Sequence, residues 1–75
     1  MQLMQFYHAL KNASPTTVNG QPIIDFHWED DGEDGLALRV KNSTLSVLIL
    51  STDKIVRTKN CVTVSIGASD YEFEI

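Results

Sequence analysis

The chain has 75 residues, a formal net charge of −4 and a hydrophobic fraction of 43%. This length allows one domain spanning residues 1–75, and the apolar content is too high for a disordered chain. One cysteine excludes an internal disulfide, and two histidines with one cysteine argue against a structural zinc site. No apolar run approaches the roughly 18 residues of a membrane span. The N-terminus also lacks the basic segment with which a signal peptide begins, so no signal peptide is predicted. We therefore expect a cytoplasmic protein without membrane contact.

The first predicted element is a helix. Positions i, i+3, i+4 and i+7 form one apolar stripe, made here by Leu3, Phe6, Tyr7 and Leu10. Pro15 cannot lie inside a helix, and the segment from 12 to 19 is rich in turn-forming residues. The sequence therefore predicts an amphipathic helix over residues of about 2–12.

Five later segments alternate apolar and polar side chains with the period of two that is typical of strands. Their apolar positions are Ile24, Phe26 and Trp28; Leu36, Leu38 and Val40; Leu45, Val47 and Ile49; Val62, Val64 and Ile66; and Tyr71, Phe73 and Ile75. A sixth, weaker strand covers residues 54–58.

Hairpins between neighbouring strands bring these apolar sets together in one consistent register. The predicted opposing residues are Phe26 and Leu38, Leu38 and Val47, and Val64 and Phe73. The fold that follows is α+β, with the N-terminal amphipathic helix packed on a five- or six-stranded antiparallel meander. A small β-barrel with an N-terminal helix is the alternative.

The same register directs Leu48 and Leu50 away from the helix, and Ile55 could point the same way. The outer face of a one-sided antiparallel sheet is usually polar. Either sheet curvature, loops or barrel closure covers these side chains, or another chain covers them. Leu48, Leu50 and Ile55 are therefore candidate partner-binding residues.

Acidic side chains are concentrated in one predicted hairpin loop, at Glu29, Asp30, Asp31, Glu33 and Asp34. An EF-hand loop beginning at Asp30 would need oxygen ligands at its third and twelfth positions, which are Gly32 and Lys41. The loop is interpreted as metal-free and exposed, and its five acids are further candidate residues for contact with a basic partner.

No pattern indicates catalysis. Asp25, His27 and Glu29 share one strand face at steps of about 6.5–7 Å, which does not converge on one metal. Cys61 lies in no nucleophile motif, and the basic residues between 39 and 59 lack interleaved exposed aromatic residues. We expect no catalytic residue, no cofactor, no metal and no direct nucleic-acid binding.

These observations favour a non-catalytic protein-interaction module that self-associates as a homo-oligomer or docks on a larger protein partner through its sheet. The alternative is an acidic inhibitor of the kind that phages and mobile elements encode. Such an inhibitor presents carboxylates where phosphates would sit and blocks a nucleic-acid-binding enzyme. An enzyme assembled at an oligomer interface is a weaker hypothesis, because the sequence offers no acid–base pair.

Overall fold

The computed structural model describes residues 1–13, 16–31 and 35–75. Within these ranges one helix, α1 (Leu3–Asn12), precedes eight strands. The strands are β1 (Thr17–Val18), β2 (Gln21–Pro22), β3 (Asp25–Asp30), β4 (Leu36–Lys41), β5 (Ser46–Ile49), β6 (Lys54–Arg57), β7 (Cys61–Ile66) and β8 (Ser69–Glu74).

The described strands form two antiparallel sheets. The large sheet has the order β2-β1-β8-β7-β6, and the small sheet has the order β3-β4-β5. The prediction of an N-terminal helix on antiparallel strands is confirmed, and the two sheets are not closed into a barrel. The weaker sixth strand predicted at 54–58 forms as β6, and the total exceeds six because β1, inside the segment interpreted as a turn, pairs with β2 just after it.

Helix α1 forms where the apolar stripe predicts it. Leu3, Phe6 and Leu10 are buried, and Tyr7 is half-buried beside them. The backbone N–H of Gln2 donates to Gln5 Oε1 at 2.9 Å, which satisfies one donor at the start of the helix. The described helix is too short to cross a membrane.

The core lies between α1 and the inner faces of both sheets. The ring of Phe6 meets Phe73 of the large sheet edge-on, with centroids 4.8 Å apart. Tyr7 lies 4.8 Å from Trp28 and 5.9 Å from Phe26, both on the small sheet. Neighbouring positions of one helix therefore pack on different sheets, so α1 joins them through apolar contacts.

The predicted faces of the strands are right, but the register of each hairpin is shifted by two residues. The opposing residues are Phe26 and Val40, Leu38 and Ile49, and Val64 and Tyr71. A shift of two preserves the face of every side chain, so apolar alternation cannot distinguish these registers. The turns decide between them. The β7–β8 turn, for example, has only Gly67 and Ala68 between its strands, and Gly67 adopts a φ of 60°.

Asn42 ties the two sheets together with a side-chain amide. It is 6% exposed and lies directly after β4 of the small sheet. Its Nδ2 donates to the carbonyl oxygen of Val18, in the large sheet, at 3.1 Å. Its Oδ1 accepts from the backbone N–H groups of Thr44 at 2.9 Å and Leu45 at 2.6 Å. One residue therefore shapes the β4–β5 turn and links the sheets.

Candidate functional surfaces

A charged network covers part of the outer face of the small sheet, opposite the helix. Alternation along β3 places Asp25, His27 and Glu29 on this face, as the sequence predicts. His27 Nδ1 lies 2.8 Å from Asp25 Oδ2, and His27 Nε2 lies 2.9 Å from Glu29 Oε2. The imidazole therefore bridges the carboxylates that precede and follow it on one strand.

Arg39 extends this network across the sheet. It lies on β4 opposite His27, and its Nε and Nη2 donate to the two carboxylate oxygens of Glu29, each at 3.2 Å. Its Nη1 donates to Ser46 Oγ on β5, also at 3.2 Å. The guanidinium thus connects β3, β4 and β5, using the two-pronged geometry that suits arginine to carboxylates.

The charge state of the network follows from its hydrogen bonds. Carboxylates only accept, so His27 can donate to both Glu29 and Asp25 only when its ring is protonated. These bonds, to Glu29 first and then to Asp25, raise the pKa of His27 above its usual value. Bonds from Arg39 first and then from His27 lower the pKa of Glu29. The side chains are well exposed, so salt and solvent screen these interactions.

Linkage to folding gives the two groups opposite pH dependences. The pKa of His27 is raised in the folded state. Its contribution to the free energy of unfolding is therefore complete below about pH 6.5 and is lost as the pH rises through the folded-state pKa. The pKa of Glu29 is lowered in the folded state. Its contribution to the free energy of unfolding is therefore complete above about pH 4.5 and is lost as the pH falls through the folded-state pKa. Both contributions are present together between about pH 4.5 and 6.5.

The carboxylates of the network flank the imidazole rather than surround a common point. Asp25 and Glu29 contact opposite nitrogens of His27, so their oxygens do not converge on one point. Across residues 1–13, 16–31 and 35–75, no three His, Cys, Asp or Glu side chains are arranged to hold a metal ion. Ser46 Oγ accepts from Arg39, which is a cation and cannot act as a base.

The apolar candidates divide between the outer face and the core. Leu48 lies opposite Arg39 on the outer face, and both Leu48 and Leu50 are half-buried outside the core cluster. Ile55 does not join them. It is buried in the core cluster, because β6 belongs to the large sheet and pairs Ile55 with Val64 on that sheet's inner face.

The acidic candidates have different surroundings. Glu29 accepts hydrogen bonds from Arg39 and His27, and Asp30 lies opposite Leu36 at the end of β3. The backbone N–H of Asp31 donates to Gly35 O at 2.7 Å. The remaining two candidates, Glu33 and Asp34, lie outside the described residues, and so does the predicted exposure of that part of the loop.

An exposed apolar cleft lies where α1 begins beside the small sheet. Met4 is 54% exposed and Leu36 is 59% exposed, and the cleft has a volume of about 460 Å³. We call it the Met4–Leu36 cleft, and its apolar lining consists of Met1, Leu3, Met4, Trp28 and Leu36. Sequence reasoning placed Leu36 in the core because of its alternation with Leu38.

The exposure of Leu36 follows from the relative lengths of the packed elements. The ten-residue helix is about 15 Å long, whereas the six-residue β4 spans about 20 Å. The helix cannot cover the whole inner face of the sheet. Ile24, directly before β3 at the other end of this sheet, is 68% exposed. The sequence signal was the position of Leu36 as the first residue of its strand.

The fold and these surfaces define a small α+β protein in which one helix covers two antiparallel sheets and leaves a charged sheet face and an apolar cleft exposed. Comparisons with protein-family models, curated proteins and solved structures returned no match.

Proposed function

We propose that this protein is a non-catalytic protein-interaction module and that it docks on a partner through the Met4–Leu36 cleft. The observation that carries this proposal is the exposure of Met4 and Leu36 on a chain of 75 residues. Grouped exposed apolar side chains that line a concave surface are typical of contact sites on small proteins. This proposal differs from the docking predicted from the sequence, which assigned the apolar contact to Leu48, Leu50 and Ile55.

The composition of the cleft supports a protein partner. Its two methionines are unbranched and polarisable, so they adapt to an incoming side chain, and half-buried Trp28 offers a rigid aromatic wall. Gln2 and Ser51 supply a polar rim. An apolar centre with a polar rim is the usual anatomy of a protein–protein interface.

The acidic-inhibitor alternative gains no support from the described contacts. A phosphate mimic needs carboxylates that are free to meet a basic partner. Glu29 instead accepts from Arg39 and His27 within the same molecule. The remaining part of that alternative rests on Asp30, Asp31, Glu33 and Asp34 and stays a prediction.

The test compares substitutions at the two exposed ends of one sheet face. Leu36→Lys should abolish co-purification of a partner from the native host, or dissociate a homo-oligomer on a sizing column. Ile24→Lys is the matched control, because Ile24 is also exposed but lies outside the cleft. Both variants should keep the circular dichroism of the wild type. Unchanged association of a folded Leu36→Lys variant, or equal loss in both variants, would contradict the proposal.

A further inference from the structure

Strand β6 is an open edge of the large sheet. The backbone N–H of Thr58 donates to Cys61 O at 2.8 Å, which fixes the alternation of the β6–β7 ladder. Val56 therefore bonds to β7, and the N–H and C=O groups of Ile55 and Arg57 point away from it. In agreement, Ile55 O accepts from the amine of Met1 at 3.1 Å rather than from β7.

A groove of about 720 Å³ runs between this edge and α1. Its helical wall includes Gln5, His8 and Ala9, and its other wall is formed by Ile55, Val56 and Arg57. A segment in extended conformation could pair with β6 at the usual strand spacing of about 4.8 Å. Its side chains would then alternate between α1 and solvent. The bond from Met1 shows that Ile55 O accepts a donor from this side.

The groove is lined without carboxylates and its edge strand is cationic. Arg57 lines the groove and is exposed, as is Lys54 at the other end of β6. In the described part of the chain, no ion pair involves either side chain. Two cations that form no ion pair with the described residues lie at the ends of this open strand, and they favour an occupant with acidic side chains.

The same charges disfavour a second copy of this chain at the edge. A symmetric antiparallel pairing of β6 with β6 through Ile55 and Arg57 would bring the Lys54 and Arg57 side chains of both molecules to one short ladder. Like charges close together on neighbouring strands destabilise a strand pair. The occupant that fits is therefore a segment of opposite charge from a different protein.

We propose that the groove between α1 and β6 binds an extended acidic segment of a partner protein, which adds to the large sheet as an antiparallel or parallel edge strand. The site uses the edge of the other sheet, and it shares Met1 with the Met4–Leu36 cleft but does not include Met4 or Leu36. Its partner is recognised by backbone hydrogen bonds to the N–H of Ile55 and to the N–H and C=O of Arg57, since Ile55 O already accepts from Met1, and by carboxylates that pair with Arg57 in the groove.

The probe is a short synthetic peptide that alternates valine and glutamate, titrated into the full chain and followed by amide chemical shifts. We expect the amides of Ile55 and Arg57 to shift and binding to weaken with added salt. Arg57→Glu should weaken binding by about tenfold or more, whereas Lys41→Glu, the same charge change on the small sheet, should weaken it less.

Two further probes separate strand addition from simple charge attraction. The same peptide with alternate backbone nitrogens methylated keeps its charge but cannot form the ladder, so it should not bind. A DNA oligonucleotide should not bind either. The proposal is overturned if the unmodified peptide does not bind, if methylated and unmodified peptides bind equally, or if DNA binds at the same amides. The Leu36→Lys variant should retain peptide binding, so failure of the cleft and failure of the groove are distinguishable.

Discussion

Replacing Asn42 with alanine should destabilise the protein strongly, although Asn42 lies at a turn. The substitution removes the bond from Nδ2 to Val18 O and the two backbone bonds that Oδ1 accepts from Thr44 and Leu45. Each bond contributes a net of about 0.5–1.5 kcal/mol in typical cases, so three give a loss of about 1.5–4.5 kcal/mol. A domain of 75 residues is expected to have a free energy of unfolding of about 4–11 kcal/mol. The loss is therefore a large fraction of the total.

Urea denaturation followed by circular dichroism measures this change. The control is Ser43→Ala, since Ser43 is exposed in the same turn, and it should change the free energy of unfolding by no more than about 0.5 kcal/mol. If Asn42→Ala cost less than about 1 kcal/mol, or no more than Ser43→Ala, the proposed link between the sheets would be refuted.

An aspartate at the same position separates the turn from the link between the sheets. Asn42→Asp keeps an acceptor for Thr44 and Leu45, but at neutral pH it places a carboxylate against the Val18 carbonyl oxygen. Burial beside a carbonyl should raise the pKa of the new carboxyl, so its destabilisation relative to wild type should grow as the pH rises through that value. A pH-independent difference from wild type would contradict the direct contact with Val18.

Three further predictions concern the core, the charged network and the outer face. Phe6→Ala should lower the free energy of unfolding by about 3–5 kcal/mol in urea denaturation, whereas exposed Met4→Ala on the same helix should change it little; equal effects would refute packing of α1 through Phe6. In thermal melts, the stability lost in His27→Gln should be largest between about pH 4.5 and 6.5 and should decline on both sides, because the pKa of His27 is raised and that of Glu29 is lowered. A loss of stability that does not depend on pH would count against the network. If the outer face of the small sheet is an interface, as the sequence predicts, Leu48→Lys should keep native circular dichroism and reduce association on a sizing column. Unchanged elution of an associated protein would exclude an interface at this face.

The sequence predicts local faces well because they follow from short-range spacing. The position of α1 follows from its apolar stripe, and Asp25, His27 and Glu29 occupy the expected strand face. The β1–β2 hairpin was missed, although Asn19 and Gly20 carry a signal for it. Both residues adopt positive φ, at 49° and 83°, and an Asn-Gly pair is the strongest short hairpin signal.

The surfaces that depend on long-range placement could not be predicted in this way. The exposure of Leu36 depends on where α1 begins relative to the end of β4, and strand alternation contains no information about that distance. The predicted register, with Phe26 opposite Leu38, would place Arg39 opposite Asp25, but the observed register sets Arg39 opposite His27 and within reach of Glu29. Both differences arise because periodicity specifies a face and not a position along it.

The native register of β3–β4 and the register shifted by two residues bury the same apolar faces, and this similarity should affect how the hairpin folds. A hairpin that pairs two residues out of register still buries the same faces, so it is a low-cost trap on the folding pathway. The contacts of Arg39 with Glu29 and Ser46 exist only in the native pairing, and in the slipped pairing Arg39 would face Asp25 instead. We therefore expect the contacts of Arg39 with Glu29 and Ser46 to favour the native pairing of β3 and β4 during folding. Their removal with Arg39→Leu should add a slow refolding phase as misregistered molecules unzip and pair again.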